Sequence, residues 1–493
     1  MVNSRIIEIL KTFSKNDIKK FRSFLNSPYH TKNKKALSLF EYLIKYYPGF
    51  DHINLSKEKI FYSITKDSGE NKTFSDAILR NIFSDLILIA EEFLSYEGFG
   101  RDKFSMTEKL LLESCSRNIV SVFENTMRAA ESQLDKISFD GESHFYRKSI
   151  IEDLKLEFSR KNDDLKLYKK NHLGNSSVYL ASFFLIRVIK SINLIAFRNQ
   201  YNIKGNVNME SEIIDSINKT EFLENLKKMS LNDYSLMKIY FRLFESISEP
   251  DDDKKYFEFR DSFYADIDLF SELEKYSLFI YLSNICVMKI DMRKEQFKKE
   301  CFSVYKEMYG RDLFSVMPGF FPVSLFTSVV STGISSGDND FVKEFIEKYS
   351  PCLNPDHEND AVNYFNALIK FNEGDFRKAL ELTSRTETGF SNFKYLLKVI
   401  EMKCFYEIRD FEQVYYTADS FLHFLNNSKY VDEIYRTEFK KFIKLIDLMI
   451  NYQFDKKENI LYKIEKIFSA EYLSNRTWFK KKLTEIDNRF GSL

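Results

Sequence analysis

An Asp-Phe pair returns at a fixed interval in the C-terminal half of the chain. Asp340-Phe341, Asp375-Phe376 and Asp410-Phe411 fall 35 residues apart, twice. Flanking columns keep the same register. Upstream, Val329, Tyr364 and Val399 align, as do Val330, Phe365 and Ile400; downstream, Phe345, Leu380 and Tyr415 align. A period of this length, with apolar residues on both sides of a polar turn, describes two helices joined by a tight turn. One such hairpin cannot bury its own apolar face, so copies must stack and cover one another. The register predicts that Phe341, Phe376 and Phe411 are buried at equivalent positions between consecutive helices.

Composition agrees with helices. The chain has 493 residues, too many for one ordinary core, so it divides into several units or extends as an array. Only 14 Gly and 7 Pro are present, far short of the turn residues that a β-rich fold of this length needs. From about Phe104 onward, helical patterns alternate with short polar or Gly/Pro breaks, as in an array of helix pairs. The fold class expected is all-α: an α-solenoid of helix-turn-helix repeats with an N-terminal helical domain.

The segment Asn366–Leu382 (NALIKFNEGDFRKALEL) is similar to the tetratricopeptide repeat motif. Ala367 stands at the small position of the first helix, Gly374-Asp375-Phe376 at the turn, and Ala379 at the small position of the second helix. The other copies depart from it, with Thr332 and Met402 at the first small position and Glu344 and Val414 at the second. The resemblance is clearest over 320–425 and implies a non-enzymatic scaffold that holds a protein or peptide partner. In a solenoid the first helix of each pair lines the inner side. Exposed positions of that helix are expected at Asn363, Asn366 and Lys370 in one copy and at Lys398, Glu401 and Lys403 in the next. These six are the candidate partner-binding residues.

The N-terminal region reads as a separate helical domain over 1–97, with Gly98-Phe99-Gly100 opening a hinge at 98–103. Irregular helix pairs follow over 104–319 and tetratricopeptide-like repeats over 320–493. Ser14 and Asp17 have capping-box spacing ahead of the apolar face of Ile18, Phe21, Phe24 and Leu25. The stretches FSKNDIKKFRSFLNSPYH, LSKEKIF and AILRNIFSDL resemble an uncharacterised family of bacterial proteins, a resemblance that implies no function. Leu55–Leu94 also looks like the helical part of a winged helix-turn-helix, which supplies an alternative: a DNA-binding regulator with a repeat sensor region. Its nucleic-acid contacts would come from Lys19, Lys20, Arg22, Arg80 and Asn81. Asp85, Glu91 and Glu92 on the same side would repel phosphates, so a cap for the solenoid is the preferred reading.

Other functions find little support. Lys+Arg and Asp+Glu balance at 73 each, which removes any global attraction to nucleic acid or anionic membrane. There is no GxxxxGK[ST] and no GxGxxG, and Gly333 and Gly337 of GISSG read as a C-terminal cap at a helix end. No two of the six histidines stand at metal-ligand spacing. Cys352, His357 and Glu358 read as an inter-repeat loop, and Asp251-Asp252-Asp253 as a charged turn. No catalytic, cofactor-binding or metal-binding residue is expected. Five cysteines without a CxxC pair suit a reducing, cytoplasmic setting. Val178–Phe197 is apolar, but Arg187 and Lys190 at its centre predict a buried helix and no membrane insertion.

Overall fold

The computed structural model describes residues 5–30, 34–65, 73–136, 138–162, 174–200, 208–385, 391–427, 433–468, 473 and 475–488. Among them there are helices and no strands; an isolated bridge joins Phe139 and Phe270. The chain forms two compact units. One comprises Met1–Asp135 with Ile150–Leu173, the other Lys136–Ser149 with Gly174–Leu493.

The first unit contains α1 (Arg5–Lys11), α2 (Lys15–Asn26), α3 (Lys34–Leu43), α4 (Lys57–Thr65), α5 (Asp76–Arg101), α6 (Lys103–Ser116), α7 (Val120–Lys136) and most of α8 (Ser143–Lys161). The predicted capping box is present: Ser14 accepts from Asp17 N, and the Asp17 carboxylate accepts from Ser14 N at 2.9 Å. Behind it, the rings of Phe13, Phe21, Phe24, Phe40 and Phe93 interlock at centroid distances of 5.1–5.6 Å. The hinge expected at Gly98-Phe99-Gly100 is not one. Helix α5 runs through all three residues to Arg101. The break comes at Asp102, whose carboxylate accepts from Phe104 N and Ser105 N and starts α6. Capping, not glycine, sets this boundary.

The second unit holds α9 (Asn175–Gln200), α10 (Asn208–Asp215), α11 (Lys219–Met229), α12 (Leu231–Ser248) and α13 (Asp253–Ala265). Helix pairs follow: α14 (Glu272–Asp291) with α15 (Gln296–Gly310), α16 (Val323–Ser335) with α17 (Asn339–Tyr349), and α18 (Pro355–Asn372) with α19 (Phe376–Ser384). Then come α20 (Ser391–Glu407) with α21 (Phe411–Asn427), α22 (Glu433–Phe454) with α23 (Glu458–Phe468), and finally α24 (Arg476–Ile486). Neighbours in sequence pack together, and the first helices of successive pairs also touch, α16 on α18 and α18 on α20. This is the all-α helical-repeat architecture that the period demands.

One turn closes four of these hairpins. A residue at positive φ (Arg293, Gly337, Gly374, Arg409) ends the first helix. The next N–H then donates to the carbonyl five residues back: Lys294 to Lys289 at 3.0 Å, Asp338 to Gly333 at 3.2 Å, Asp375 to Lys370 at 2.9 Å and Asp410 to Phe405 at 2.9 Å. This Schellman-type closure satisfies the orphan carbonyls and reverses the chain. In the last three, the aspartate also caps the second helix, accepting from Phe341 N, Lys378 N and Gln413 N.

The caps correct the repeat register. The aspartate equivalent to Asp375 and Asp410 is Asp338, not Asp340, so the spacing is 37 residues and then 35. Phe376 and Phe411 are equivalent. Each is half-buried and stacks on the last aromatic of the preceding helix, Phe371–Phe376 at 5.4 Å and Tyr406–Phe411 at 5.8 Å, both inclined by 58°. Phe341 lies two positions further along its helix and is buried. In the corrected register Val330, Ala367 and Met402 coincide on the first helix, and Val342, Ala379 and Val414 on the second. All six are buried. Small residues are therefore unnecessary; what the pairs share is an apolar residue at the crossing. Gly333 is no cap either. It lies inside α16, where an added Cβ would come within 2.6 Å of Val342 Cγ2. Phe345, fully buried among Phe314, Phe321 and Phe326, is the better core test. Phe345→Ala is expected to cost about 3–5 kcal/mol in urea unfolding, and Phe376→Ala clearly less.

Candidate functional site

The first helices of the pairs share one feature: together they line a cavity of about 1290 Å³. Helix α9 contributes Lys190 and Leu194, α14 contributes Tyr276, Ile280 and Tyr281, and α16 contributes Val323 and Leu325. Helix α18 adds Tyr364 and Leu368. Helix α20 adds Tyr395, Val399 and Lys403 at four-residue intervals, a stripe along one face. Phe439 of α22 and Asn475 before α24 complete the wall. Most of this lining is apolar or tyrosyl. Charge enters through Glu142, Arg187 and Lys190, and through Lys403 and Glu438.

The two lysines differ. Lys190 reaches Glu142 at 2.9 Å and Glu274 at 2.8 Å. Glu274 is itself buried and accepts from the Tyr240 hydroxyl. Burial opposes the charge on Lys190, but the carboxylates of Glu274 and Glu142 outweigh it and hold the ammonium above its ordinary range. The charge is fully accounted for. Arg187 joins the same cluster through Glu142 at 3.1 Å. Both cations that interrupt the apolar run of α9 thus serve ion pairs within the second unit, while Leu185, Ile186, Ile189 and Ile192 are buried. By length and apolarity alone, the span Asn175–Ala196 would suffice to cross a membrane.

Lys403 has no such partner. Its Nζ donates to Asn475 Oδ1 at 3.2 Å and lies 4.3 Å from the Phe371 ring centroid and 5.5 Å from that of Trp478. Nearby acids are engaged elsewhere, Glu401 by Lys398 and Glu407 by Lys482, each at 2.7 Å. Among the described residues no carboxylate oxygen lies within 4.0 Å of its nitrogen. Burial pushes its ammonium down to about 8, a fall that Cys404 and Glu407 are too weak to offset.

Of the six residues expected on the inner helix face, the structure brings Lys403 to the cavity. It is buried rather than exposed, at 6% of its free surface. The other five are half-buried rather than exposed and stand outside the lining. Lys370 pairs with Glu373 at 2.6 Å, and Lys398 with Glu401. Asn363 and Asn366 lie beside the lining residue Tyr364 in sequence, not on its face. The reason is angular: an α-helix advances about 100° per residue, and the inner face here runs through Tyr364 and Leu368. Sequence reasoning looked for polar positions and so passed over the tyrosines. The signal was present in Tyr395, Val399 and Lys403, a cation within an apolar stripe.

In the first unit, three of the five candidate nucleic-acid contacts are ion-paired. Lys20 meets Glu97 at 2.5 Å, Arg22 meets Glu41 at 2.5 Å, and Arg80 meets Asp76 at 3.1 Å. Lys19 and Asn81 are exposed. The Asp251–Asp253 turn holds lysines. Lys289, fully buried, donates to Pro250 O at 2.8 Å and to Asp253 at 2.9 Å, and Lys294 to Asp253 at 2.7 Å. Among the described residues, no group of three or more His, Cys, Asp or Glu side chains is arranged to hold a metal ion. No protein-family model matches the chain, and no curated protein and no solved structure matches it either.

Proposed function

We propose that this protein is a non-enzymatic, tetratricopeptide-like scaffold that holds a protein or peptide partner along the first helices of its repeats. The observation that carries the reading is the shared cavity, to which α9, α14, α16, α18, α20 and α22 all contribute side chains. Its volume of about 1290 Å³ exceeds the roughly 300–1,000 Å³ of a small-molecule pocket. Its tyrosines offer large contact areas at small entropic cost, each with a hydroxyl for a polar backbone. Half-buried apolar side chains such as Leu325, Leu368 and Leu396 are the surface that a partner would cover.

The test fills the cavity without touching the core. Leu368→Trp is expected to abolish partner capture from the native host while leaving the melting temperature within a few degrees of wild type. Reversing the outlying pair, Lys398→Glu with Glu401→Lys, is expected to preserve capture. Retained capture by the Trp variant at wild-type level contradicts the reading.

A further inference from the structure

Lys403 is a buried cation whose charge nothing in the described structure neutralises. Phe371 and Trp478 cover it, and Asn475 Oδ1 accepts a hydrogen bond from one of its three N–H groups. Lys403 and Asn475 both line the cavity. The walls leading away are apolar, through Leu396, Val399, Ile400, Leu368 and Phe439. Burying an ammonium without an anion is costly, and a core serving stability alone would place Met or Leu there. Lys190, in the same cavity, shows the alternative arrangement, with two carboxylates on one amine.

We propose that the cavity binds an amphipathic monocarboxylate, its apolar body lying along α18 and α20 and its carboxylate on Lys403 Nζ and the Asn475 amide N–H. A monoanion fits the donor set. One ammonium and one amide match a carboxylate's two oxygens, whereas a doubly charged phosphate calls for further bases. Leu368 and Leu396 serve both readings, so ligand and partner compete for this end of the cavity, but the carboxylate site itself needs only Lys403, Asn475 and these walls, and its test uses no partner.

The groups around the amine define its pH behaviour. Phe371, Trp478 and Asn475 do not titrate, burial pushes the adjacent Cys404 thiol up to about 12, and Glu407 is tied to Lys482 and to Trp478 Nε1. Glu438, Tyr364 and Tyr395 also line the cavity. Ligand binding therefore depends on the protonated lysine and weakens as pH rises through about 8.

The experiment titrates the full-length, delipidated protein with decanoate, 1-decanol and decyl phosphate by calorimetry. At pH 7 decanoate is expected to bind one equivalent, more tightly than either of the others. Lys403→Met, which fills the same space without charge, is expected to weaken decanoate by at least an order of magnitude and leave decanol unchanged. The wild-type affinity for decanoate is expected to fall toward that of the variant between pH 8 and about 9.5, a readout that does not depend on the variant folding. The proposal is overturned by absent decanoate binding, by equal affinity for acid and alcohol, by tighter binding of the phosphate, or by undiminished decanoate affinity in the Met variant.

Discussion

Lys190→Met is expected to lower stability at pH 7 by about 3–5 kcal/mol, because it strands the buried Glu274 carboxylate without its cation. The folded-state pKa of Lys190 lies above its ordinary value of 10.5, so the stabilisation is fully present below 10.5 and is lost only as pH rises through the folded value. Glu142 works at the other end. Burial would raise its pKa, but Lys190 and Arg187 hold it below 4.5, so its share is present above 4.5 and is lost in acid. Urea midpoints of the variant and wild type are expected to differ most between about pH 5 and 10. Adding Glu274→Gln to Lys190→Met is expected to recover part of the loss, since the stranded charge is then removed. Full additivity of the two substitutions would contradict a shared network.

Lys403→Met is expected to do the opposite and stabilise the protein. The fall of its ammonium from 10.5 to about 8 corresponds to about 3 kcal/mol of folding free energy withheld at neutral pH. The sign follows from proton counting. Between pH 8 and 10.5 the unfolded chain binds the proton and the folded one releases it, so wild-type stability rises with pH across that window. The advantage of the Met variant is therefore full below pH 8 and fades toward 10.5. Loss of the contact with Phe371 offsets part of the gain. A variant less stable than wild type at pH 7 would contradict an uncompensated charge at this position.

The contrast between these lysines shows what the sequence could and could not convey. Helices and their pairing were legible because apolar residues at helical spacing report burial directly. Ser14 with Asp17 was legible because capping is local chemistry. The hinge at Gly98-Phe99-Gly100 was misread: two glycines cost a helix only about 1 kcal/mol each, and α5 absorbs them and ends where Asp102 can cap α6. The register slipped by two because Asp338 and Asp340 both precede Phe341, and only the positive φ of Gly337 singles out the first. The cavity lining was not legible, because its marks are tyrosines and aliphatic side chains rather than polar positions. Lys370 pairs with Glu373 and Lys398 with Glu401, each three residues on, while Tyr364 and Tyr395 line the cavity. Nothing local distinguishes Lys190, which has two carboxylates, from Lys403, which has none, since Glu142 and Glu274 are distant in sequence.

Site-specific photocrosslinking tests the central claim most directly. A photoreactive phenylalanine analogue at Leu368 lies in the cavity, whereas the same group at Lys378 lies on the exposed side of α19. In native-host cells the account predicts a covalent adduct with the partner from position 368 and none from 378. An adduct from 378 with none from 368 would place the partner on the outer helices and contradict the account.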